Sequence, residues 1–322
     1  MKILANDGIS AAGQAALEAA GHTVITETIA QEALATYIVD EQIDGLLVRS
    51  ATKVRKELVD ACPDLKFVIR GGVGMDNIDV DYARSKGIVV SNTPASSSQS
   101  VAELVMGHLF SLSRFLHDSN RKMPVEGATN FKALKKAYGK GTELSGKTLA
   151  IVGFGRIGRS LASYALGCGM NVIAVDKETG RTSVDVKLGN GASATVHVDI
   201  VSFEEAIAVA DAISLHVPAQ ADGSAVVDAA ALDQMKNGVL LVNAARGGVV
   251  DEDALLAALE SGKVRAAALD VFVGEPTPRE DLCCHPRIAL TPHTGAATAE
   301  AQDRIGLEIA EIVAGLAETA QA

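Results

Sequence analysis

The sequence predicts an α/β fold with two doubly wound parallel-sheet domains. Short β-branched apolar runs alternate with helical patterns along the whole chain, and a glycine-rich turn opens a second strand–helix series after residue 147. Strands that are separated by helices form right-handed crossovers, which give a parallel sheet covered by helices on both faces. The 322 residues suffice for two domains of ordinary size.

Composition excludes several classes of protein. Hydrophobic residues make up 48% and charged residues 21%, which is typical of a folded globular chain, and the net charge of −11 argues against nucleic acid and anionic membranes as partners. The amino terminus lacks the apolar run of a signal peptide. The cysteines have no CxxC spacing, so we expect no metal site, free thiols and a cytoplasmic location. They are Cys62, Cys168, Cys283 and Cys284.

The first strand–helix series begins with "KILAN", followed by a helix for which Ser10 is the predicted N-cap and Gly21 the stop. The strands "HTVIT", "GLLVRS", "KFVIRGG" and "GIVVSN" follow. The segment 100–117 predicts a long apolar helix, which is buried on most sides, and the stretch after it is polar.

The second series contains six predicted strands: "TLAIVG", "NVIAVD", "AISLHV", "VLLVNAA", "RAAALDVF" and "RIALTPH". Six strands are enough for a complete dinucleotide-binding sheet. Residues 182–200 break the pattern, because apolar and polar residues alternate on both sides of Gly-Asn-Gly. That alternation predicts an inserted antiparallel β-hairpin.

The stretch "VGFGRIG" has the GxGxxG spacing, with glycines at Gly153, Gly155 and Gly158. Alone this pattern is weak, but here a strand precedes it and a helix follows it. Gly153 would allow a tight turn, Gly155 the close approach of a pyrophosphate, and Gly158 close packing of the helix. These residues predict a Rossmann nucleotide-binding domain.

Asp176 ends the next strand, about 20 residues further on. A carboxylate there can accept hydrogen bonds from both ribose hydroxyls of NAD and would repel the additional phosphate of NADP. The cofactor we expect is therefore NAD, although Lys177 and Arg181 stand nearby.

Three polar residues follow three successive predicted strands: Arg246, Glu275 and His293. Each one alone is as consistent with a solvated loop residue or a helix cap as with a functional group. Hydride transfer to a nicotinamide, however, needs a group that holds the substrate and a group that moves a proton. The three placements together predict an active site.

Long stretches resemble the D-isomer-specific 2-hydroxyacid dehydrogenase family, most closely its phosphoglycerate dehydrogenase branch. They are "LLVRSATKV" (46–54), "GVGMDNID" (72–79), "SNTP" (91–94), "GTELSGKTLAIVGFGRIGR" (141–159), "NAARGGVVDE" (243–252), "ALDVF" with "EP" (268–276) and "PHTGAATAEAQ" (292–302). The resemblance implies a flavodoxin-like substrate domain, residues 1–97 with 294–322. Into it the Rossmann domain, residues 98–293, is inserted, and the active site is expected in the cleft between the two.

The family's Arg–Glu–His set falls on Arg246, Glu275 and His293. By resemblance, the arginine binds the substrate carboxylate, the histidine moves the hydroxyl proton, and the glutamate orients the imidazole. The other cofactor contacts implied by the resemblance are Arg156, Ile157, His216, Val217, Pro218, Ala244, Ala245, Asp270 and Gly295.

The resemblance also implies a small anionic 2-hydroxy or 2-oxo acid substrate and a homodimer. Arg49, Ser50 and Lys53 match the family's anion-binding loop, and Val73, Gly74 and Asn92 would line the same site. Two cations and a hydroxyl suit D-3-phosphoglycerate, whose oxidation to 3-phosphohydroxypyruvate opens serine biosynthesis. The chain ends after one predicted helix, 298–320, so we expect no inhibition by serine through a carboxyl-terminal regulatory domain.

Alternative functions stay open at this point. A glyoxylate or hydroxypyruvate reductase would use the same catalytic set, and only the cations at Arg49 and Lys53 argue against it. A non-catalytic, nicotinamide-sensing corepressor-like protein could share the fold. A formate dehydrogenase would need an amide beside the histidine, where Glu275 is a carboxylate.

Overall fold

A computed structural model describes residues 1–319 of the chain. The ends of the predicted helix 298–320 and of the predicted domain segment 294–322 lie outside these residues. The chain divides into two compact units: Met1–Ser98 together with the residues from Ala296 onward, and Gln99–Gly295. Along residues 1–319, no helix is long and apolar enough to cross a membrane.

The first unit contains a five-stranded parallel sheet. Its elements are β1 (Lys2–Ala5), α1 (Ala11–Ala19), β2 (Thr23–Ile25), α2 (Gln31–Asp40), β3 (Gly45–Val48), α3 (Lys56–Ala61), β4 (Phe67–Arg70), α4 (Val80–Ser85) and β5 (Val89–Asn92). The strand order is β2-β1-β3-β4-β5. This order is that of a flavodoxin-like sheet, in which functional loops follow the carboxyl ends of the strands.

Helix α1 begins and ends where the sequence predicts. The Ser10 hydroxyl accepts a hydrogen bond from the Gly13 N–H at 3.2 Å, which satisfies one free donor of the first turn. The helix ends at Ala19, and Gly21 follows with φ +83°, a left-handed conformation that glycine adopts at little cost.

The predicted helix 100–117 is wrong at both ends. Helix α5 spans Ser98–Arg114, and Phe115 then takes a left-handed φ of 58°. The polar stretch that follows is also helical, as α6 (Leu116–Tyr138), with Pro124 inside it and a break in helical geometry at Asn130. Charged residues and the internal Pro124 concealed this helix, because proline usually ends or breaks a helical pattern.

The second unit contains an eight-stranded sheet. Its elements are β6 (Thr148–Val152), α7 (Arg156–Gly167), β7 (Asn171–Val175), β8 (Gly180–Lys187), β9 (Ser193–Val201), α8 (Phe203–Val209), β10 (Ala212–Leu215), α9 (Ala229–Gln234), β11 (Val239–Asn243), α10 (Glu252–Ser261), β12 (Val264–Leu269), α11 (Glu280–Cys283) and β13 (Ile288–Leu290). The strand order is β13-β12-β11-β10-β6-β7-β9-β8.

The alternating stretch around residues 182–200 forms the antiparallel pair β8 and β9. Val184, Val186 and Val198 face inward and are buried, which accounts for the alternation. Strand β9 also pairs in parallel with β7, so it is a regular member of the sheet. The six strands and the hairpin predicted from sequence together account for all eight strands, but the hairpin is not a separate insertion, since only β8 is an antiparallel addition at the edge.

Helix α12 (Ala299–Thr319) returns to the first unit and packs on α1. The two helices approach closely at Gly13 and Gly306, where a Cβ atom on Gly13 would lie 2.4 Å from the Gly306 Cα. Ile305, Ile309 and Val313 of α12 are buried against one face of the five-stranded sheet. Residues from both ends of the chain therefore pack into one hydrophobic core.

Candidate active site

The predicted catalytic residues lie at the carboxyl edge of the eight-stranded sheet. Arg246 follows β11, Glu275 follows β12, and His293 follows β13. These three strands are parallel neighbours, so their carboxyl ends lie side by side. Polar residues at this edge of an open parallel sheet stand where ligands bind in such folds.

His293 and Glu275 are joined directly by a hydrogen bond. The His293 Nδ1 lies 2.8 Å from Oε2 of Glu275, and Oε1 of the same carboxylate accepts the Phe272 N–H at 2.9 Å. An ionised carboxylate only accepts, so Nδ1 carries the proton that it donates. The other ring nitrogen, Nε2, is then available to exchange a proton with a reactant.

The backbone of His293 is left-handed, with φ 54°. Such a conformation costs a non-glycine residue about 1–2 kcal/mol and persists only where neighbours hold it. Here the His293 N–H donates to the Asp270 carbonyl at 2.8 Å, and the Thr294 N–H donates to Oδ1 of Asp270 at 2.8 Å. Asp270 therefore holds the loop that carries the imidazole.

Asp270 is almost fully buried, at 1% exposure. Its Oδ1 accepts the Thr291 hydroxyl at 2.6 Å, and its Oδ2 accepts the Gly295 N–H at 2.9 Å. Thr291 also contacts Nε2 of the buried His108 at 3.1 Å. Sequence reasoning missed Thr291 and His108, because one lies in an apolar strand end and the other in an apolar helix.

Arg246 stands in a turn that neighbouring backbone groups hold. Its Nη1 donates to the Ala245 carbonyl at 2.6 Å, and the side chain is half-buried. Asn243, the last residue of β11, closes the turn: its Nδ2 donates to the Arg246 carbonyl at 2.9 Å and its Oδ1 accepts the Ala245 N–H at 3.1 Å. The guanidinium is a planar cation suited to a carboxylate.

The glycine-rich turn has the geometry that its spacing predicts. Gly153 has φ +95°, and a Cβ atom there would lie 2.5 Å from the His216 carbonyl oxygen. A Cβ on Gly158 would lie 2.3 Å from the Gly153 carbonyl oxygen. At Gly155, the N-cap of α7, a Cβ would meet no other atom of the described chain within 4 Å. Gly153 and Gly158 therefore have no room for a side chain, whereas Gly155 leaves space in front of the helix.

Arg156, Ile157 and Gly158 form the first turn of α7, so their N–H groups have no acceptor within the helix. Asp176 follows β7 and is exposed; its Oδ2 accepts the Phe154 N–H at 3.1 Å and its Oδ1 accepts the Lys177 N–H at 2.8 Å. An ionised carboxylate has about four acceptor positions, so it retains capacity for further donors.

Residues His216, Val217 and Pro218 follow β10. The His216 Nε2 lies 2.9 Å from the Ser214 hydroxyl, a partner that sequence reasoning missed. Burial lowers the pKa of His216 to about 4, so its ring is neutral at neutral pH. Ala244 is half-buried, whereas Ala245 and Gly295 are buried.

The predicted substrate residues belong to the first unit. Arg49, Ser50 and Lys53 lie in the loop that follows β3. Asp7 holds this loop: its Oδ2 accepts the Arg49 N–H at 2.6 Å and the Thr52 N–H at 3.1 Å, and its Oδ1 accepts the Thr52 hydroxyl at 2.6 Å. Sequence reasoning missed Asp7.

Val73 and Gly74 follow β4, and Asn92 ends β5. The Asn92 side-chain amide donates to the Val73 carbonyl, which ties the two loops together. These residues stand after neighbouring strands, at the carboxyl edge of the five-stranded sheet. Within residues 1–319, no group of three or more histidines, cysteines or carboxylates could hold a metal ion.

Residues 106–295 match the family described as D-isomer specific 2-hydroxyacid dehydrogenase, NAD binding domain. The chain is also 43% identical over 274 residues to the hydroxypyruvate reductase of Thermotoga maritima, covering 84% of this chain and 83% of that protein. The chain belongs to the D-isomer-specific 2-hydroxyacid dehydrogenases.

This dehydrogenase is also similar to a second curated relative and to a solved structure. The D-3-phosphoglycerate dehydrogenase of Mycobacterium leprae is 42% identical over 272 residues, which are 84% of this chain and 49% of that protein. The chain thus spans about half the length of such relatives. The crystal structure of a NAD-dependent formate dehydrogenase from Staphylococcus aureus, in complex with NAD, superposes with a TM-score of 0.77 at 30% identity, covering 97% of this chain and 94% of that one.

The dehydrogenase thus has a NAD-binding domain, and its residues fit that cofactor. The space before Gly155 and the free N–H groups of α7 suit a pyrophosphate, since a helix amino terminus attracts anions. The exposed carboxylate of Asp176 suits ribose hydroxyls. The nearby cation Arg181 has its Nε 3.6 Å from Oδ1 of Asp199, and this carboxylate offsets the charge of the arginine. The neutral ring of His216, a predicted cofactor contact, adds no charge at the carboxyl end of β10.

Proposed function

We propose that this dehydrogenase oxidises D-3-phosphoglycerate to 3-phosphohydroxypyruvate, the reaction that opens serine biosynthesis. The observation that carries the dehydrogenase chemistry is the hydrogen bond of 2.8 Å between His293 Nδ1 and Glu275 Oε2, because it leaves Nε2 as a proton acceptor. The cations in the loop after β3 favour the phosphorylated substrate. Arg246, after the neighbouring strand, supplies the cation for the substrate carboxylate.

Bound NAD would accept a hydride from C2 of the substrate. As the hydride leaves, Nε2 of His293 takes the proton of the C2 hydroxyl, and it returns this proton in the reverse direction. Glu275 keeps the imidazole in one orientation and stabilises the imidazolium that forms. Arg246 holds the carboxylate, and each charge-assisted hydrogen bond that it makes contributes about 1.5–3 kcal/mol.

The loop of Arg49, Ser50 and Lys53 supports a substrate with a second anionic group. Two cations and a hydroxyl stand within five residues, and Asp7 fixes the backbone that carries them. A phosphate offers enough oxygens to bind all three side chains. Val73, Gly74 and Asn92 are proposed to receive the substrate carboxylate from the neighbouring loops.

A second candidate is a hydroxypyruvate reductase, which would run the same chemistry toward reduction. The observation that favours it is the 43% identity to the Thermotoga maritima enzyme over 83% of that protein. Hydroxypyruvate lacks the phosphate, so this function would leave the cations Arg49 and Lys53 without a substrate group to bind.

We also propose that the protein is a cytoplasmic homodimer. Helices α5 and α6 expose large apolar side chains, which are typical of a surface that another subunit covers. They are Phe110, Leu116, Met123, Val125 and Phe131. Light scattering coupled to size exclusion should give twice the chain mass, and a monomeric mass at micromolar concentration would contradict the proposal.

Initial rates with a panel of acids test the substrate. NADH formation is followed with D-3-phosphoglycerate, D-glycerate and D-lactate, with hydrazine present to trap the oxo product, and NADH consumption is followed with 3-phosphohydroxypyruvate, hydroxypyruvate and glyoxylate. We expect the highest kcat/KM with the phosphorylated pair. A higher kcat/KM with hydroxypyruvate would establish the second candidate instead.

A further inference from the structure

His108 is a buried polar residue in the middle of helix α5, where most of the buried residues are apolar. It lies on α5, is 6% exposed, and neighbours such buried residues as Val105 and Leu109. Burying an imidazole among apolar side chains is unfavourable unless it forms hydrogen bonds. Its partner is Thr291, whose hydroxyl lies 3.1 Å from Nε2.

The direction of the hydrogen bonds follows from the proton count. The Thr291 hydroxyl has one proton, and the 2.6 Å contact to Oδ1 of Asp270 uses it, because a carboxylate attracts it most strongly. The hydroxyl oxygen must then accept from His108, so Nε2 carries a proton. Burial lowers the pKa of His108, which leaves the ring neutral near neutral pH with its proton on Nε2.

Helix α5 thus contacts both ends of the loop that carries the catalytic imidazole. His108 bonds to Thr291 at the start of residues 291–295, and the Ser100 hydroxyl donates to the Gly295 carbonyl at 2.6 Å at the end. Residues eight apart lie on the same helix face, about 12 Å along the axis. A single rigid helix therefore spans the loop.

His293 is the middle residue of this loop, in its left-handed conformation. Asp270 holds it from the sheet side, and the two contacts from α5 hold it from the helix side. The imidazole must contact Glu275 and a substrate at the same time, so its position has to be fixed by these hydrogen bonds. A small displacement of the ring would reduce turnover strongly.

We propose that His108 is a positioning residue, which acts with Ser100 to fix the loop 291–295 and so to hold His293 on Glu275. The inference rests on the proposed role of His293 in proton transfer. His108 itself touches neither substrate nor cofactor in this account, and it acts through Thr291 and Asp270.

Three variants test the link. His108→Leu removes the donor, Thr291→Val removes its partner, and His108→Gln offers an amide N–H in place of Nε2–H. We expect His108→Leu to lower kcat about tenfold with the KM for NADH nearly unchanged, the order expected for one lost hydrogen bond, and His108→Gln to recover most of it. Because Thr291→Val removes the link to His108 together with the Thr291–Asp270 hydrogen bond, the double variant should be no slower than Thr291→Val alone.

Met106→Leu is the matched control, since Met106 is equally buried on the same helix and lies outside this set of hydrogen bonds. Amide hydrogen exchange gives a second readout that does not depend on turnover. The Thr294 and Gly295 amides should exchange faster in His108→Leu than in the wild type, and at the wild-type rate in Met106→Leu.

Three results would overturn the inference: an unchanged kcat in His108→Leu, an equal loss in Met106→Leu, or no recovery with His108→Gln. If His108→Leu does not fold, Thr291→Val breaks the same link from the other side. If the wild type turns over no 2-oxo acid, the proposed function fails, and amide exchange still decides whether His108 holds the loop.

Discussion

The two units use the same edge of a parallel sheet in different ways. In Gln99–Gly295, polar side chains at the strand ends bond to one another, as His293 does to Glu275 and Thr291 to Asp270. In the first unit, a carboxylate holds the backbone of the loop after β3, and the Lys53 side chain of that loop is exposed. A proton-transfer group needs a fixed orientation, whereas a charged binding loop needs only a fixed attachment.

The largest effect is expected when the oriented pair is broken. His293→Ala should lower kcat by about 10²–10⁴, the usual contribution of a general acid–base group, with NADH affinity unchanged by fluorescence titration. His197→Ala on the exposed face of β9 is the control, and it should keep wild-type kcat. Wild-type turnover in His293→Ala would remove this residue from proton transfer.

Two arginines, one in each unit, separate the two roles. Arg246→Met should lower kcat/KM about 10–150-fold with every 2-oxo acid, since one or more charge-assisted hydrogen bonds are lost. Arg49→Met should cause a loss of similar size only with 3-phosphohydroxypyruvate. An equal loss with hydroxypyruvate in Arg49→Met would contradict the assignment of this loop to the phosphate.

The backbone support of the first unit can be removed at Asp7. Asp7→Ala leaves the Arg49 and Thr52 N–H groups without their acceptor, so we expect a loss of about 1–3 kcal/mol in unfolding free energy. The KM for the phosphorylated substrate should rise while kcat with hydroxypyruvate changes little. Urea unfolding and initial rates measure both, and an unaltered KM would show that Asp7 does not position the loop.

The smallest effect concerns pH. Because burial lowers the pKa of His216 to about 4, the unfolded chain binds its proton first as the pH falls below the ordinary value near 6.5. Stability is therefore lost between about pH 6.5 and 4, and His216 should account for about 2 kcal/mol of the loss from pH 7 to 5. His216→Gln should reduce the pH dependence of unfolding by that amount, whereas an identical dependence would mean that His216 protonates freely when folded.

The fold was largely predictable because its signals are local. Ser10 and Gly21 mark the ends of α1, and glycine spacing marks the turn between β6 and α7. Helix α6 escaped prediction because its apolar residues are few and because Pro124 and the break at Asn130 interrupt the helical pattern. The membership of β9 in the parallel sheet escaped because pairing with β7 depends on contacts that are distant in sequence.

The meeting of Glu275 and His293 was predictable because each follows a strand of one sheet, and parallel strands bring their carboxyl ends together. The residues that support them were not. His108 and Thr291 are 183 positions apart, so nothing in either local sequence indicates that they meet. The same is true of Asp7 and Arg49, which lie after different strands.

The transfer of a labelled hydride tests the central claim most directly. Wild-type protein is incubated with [4,4-²H₂]NADH, which carries deuterium on both faces of the nicotinamide, and with hydroxypyruvate or 3-phosphohydroxypyruvate, and the product is analysed by NMR and chiral chromatography. The account predicts one deuterium at C2 of a D-2-hydroxy acid, with one NAD formed for each product molecule. Product without deuterium at C2, or with the L configuration, would contradict it.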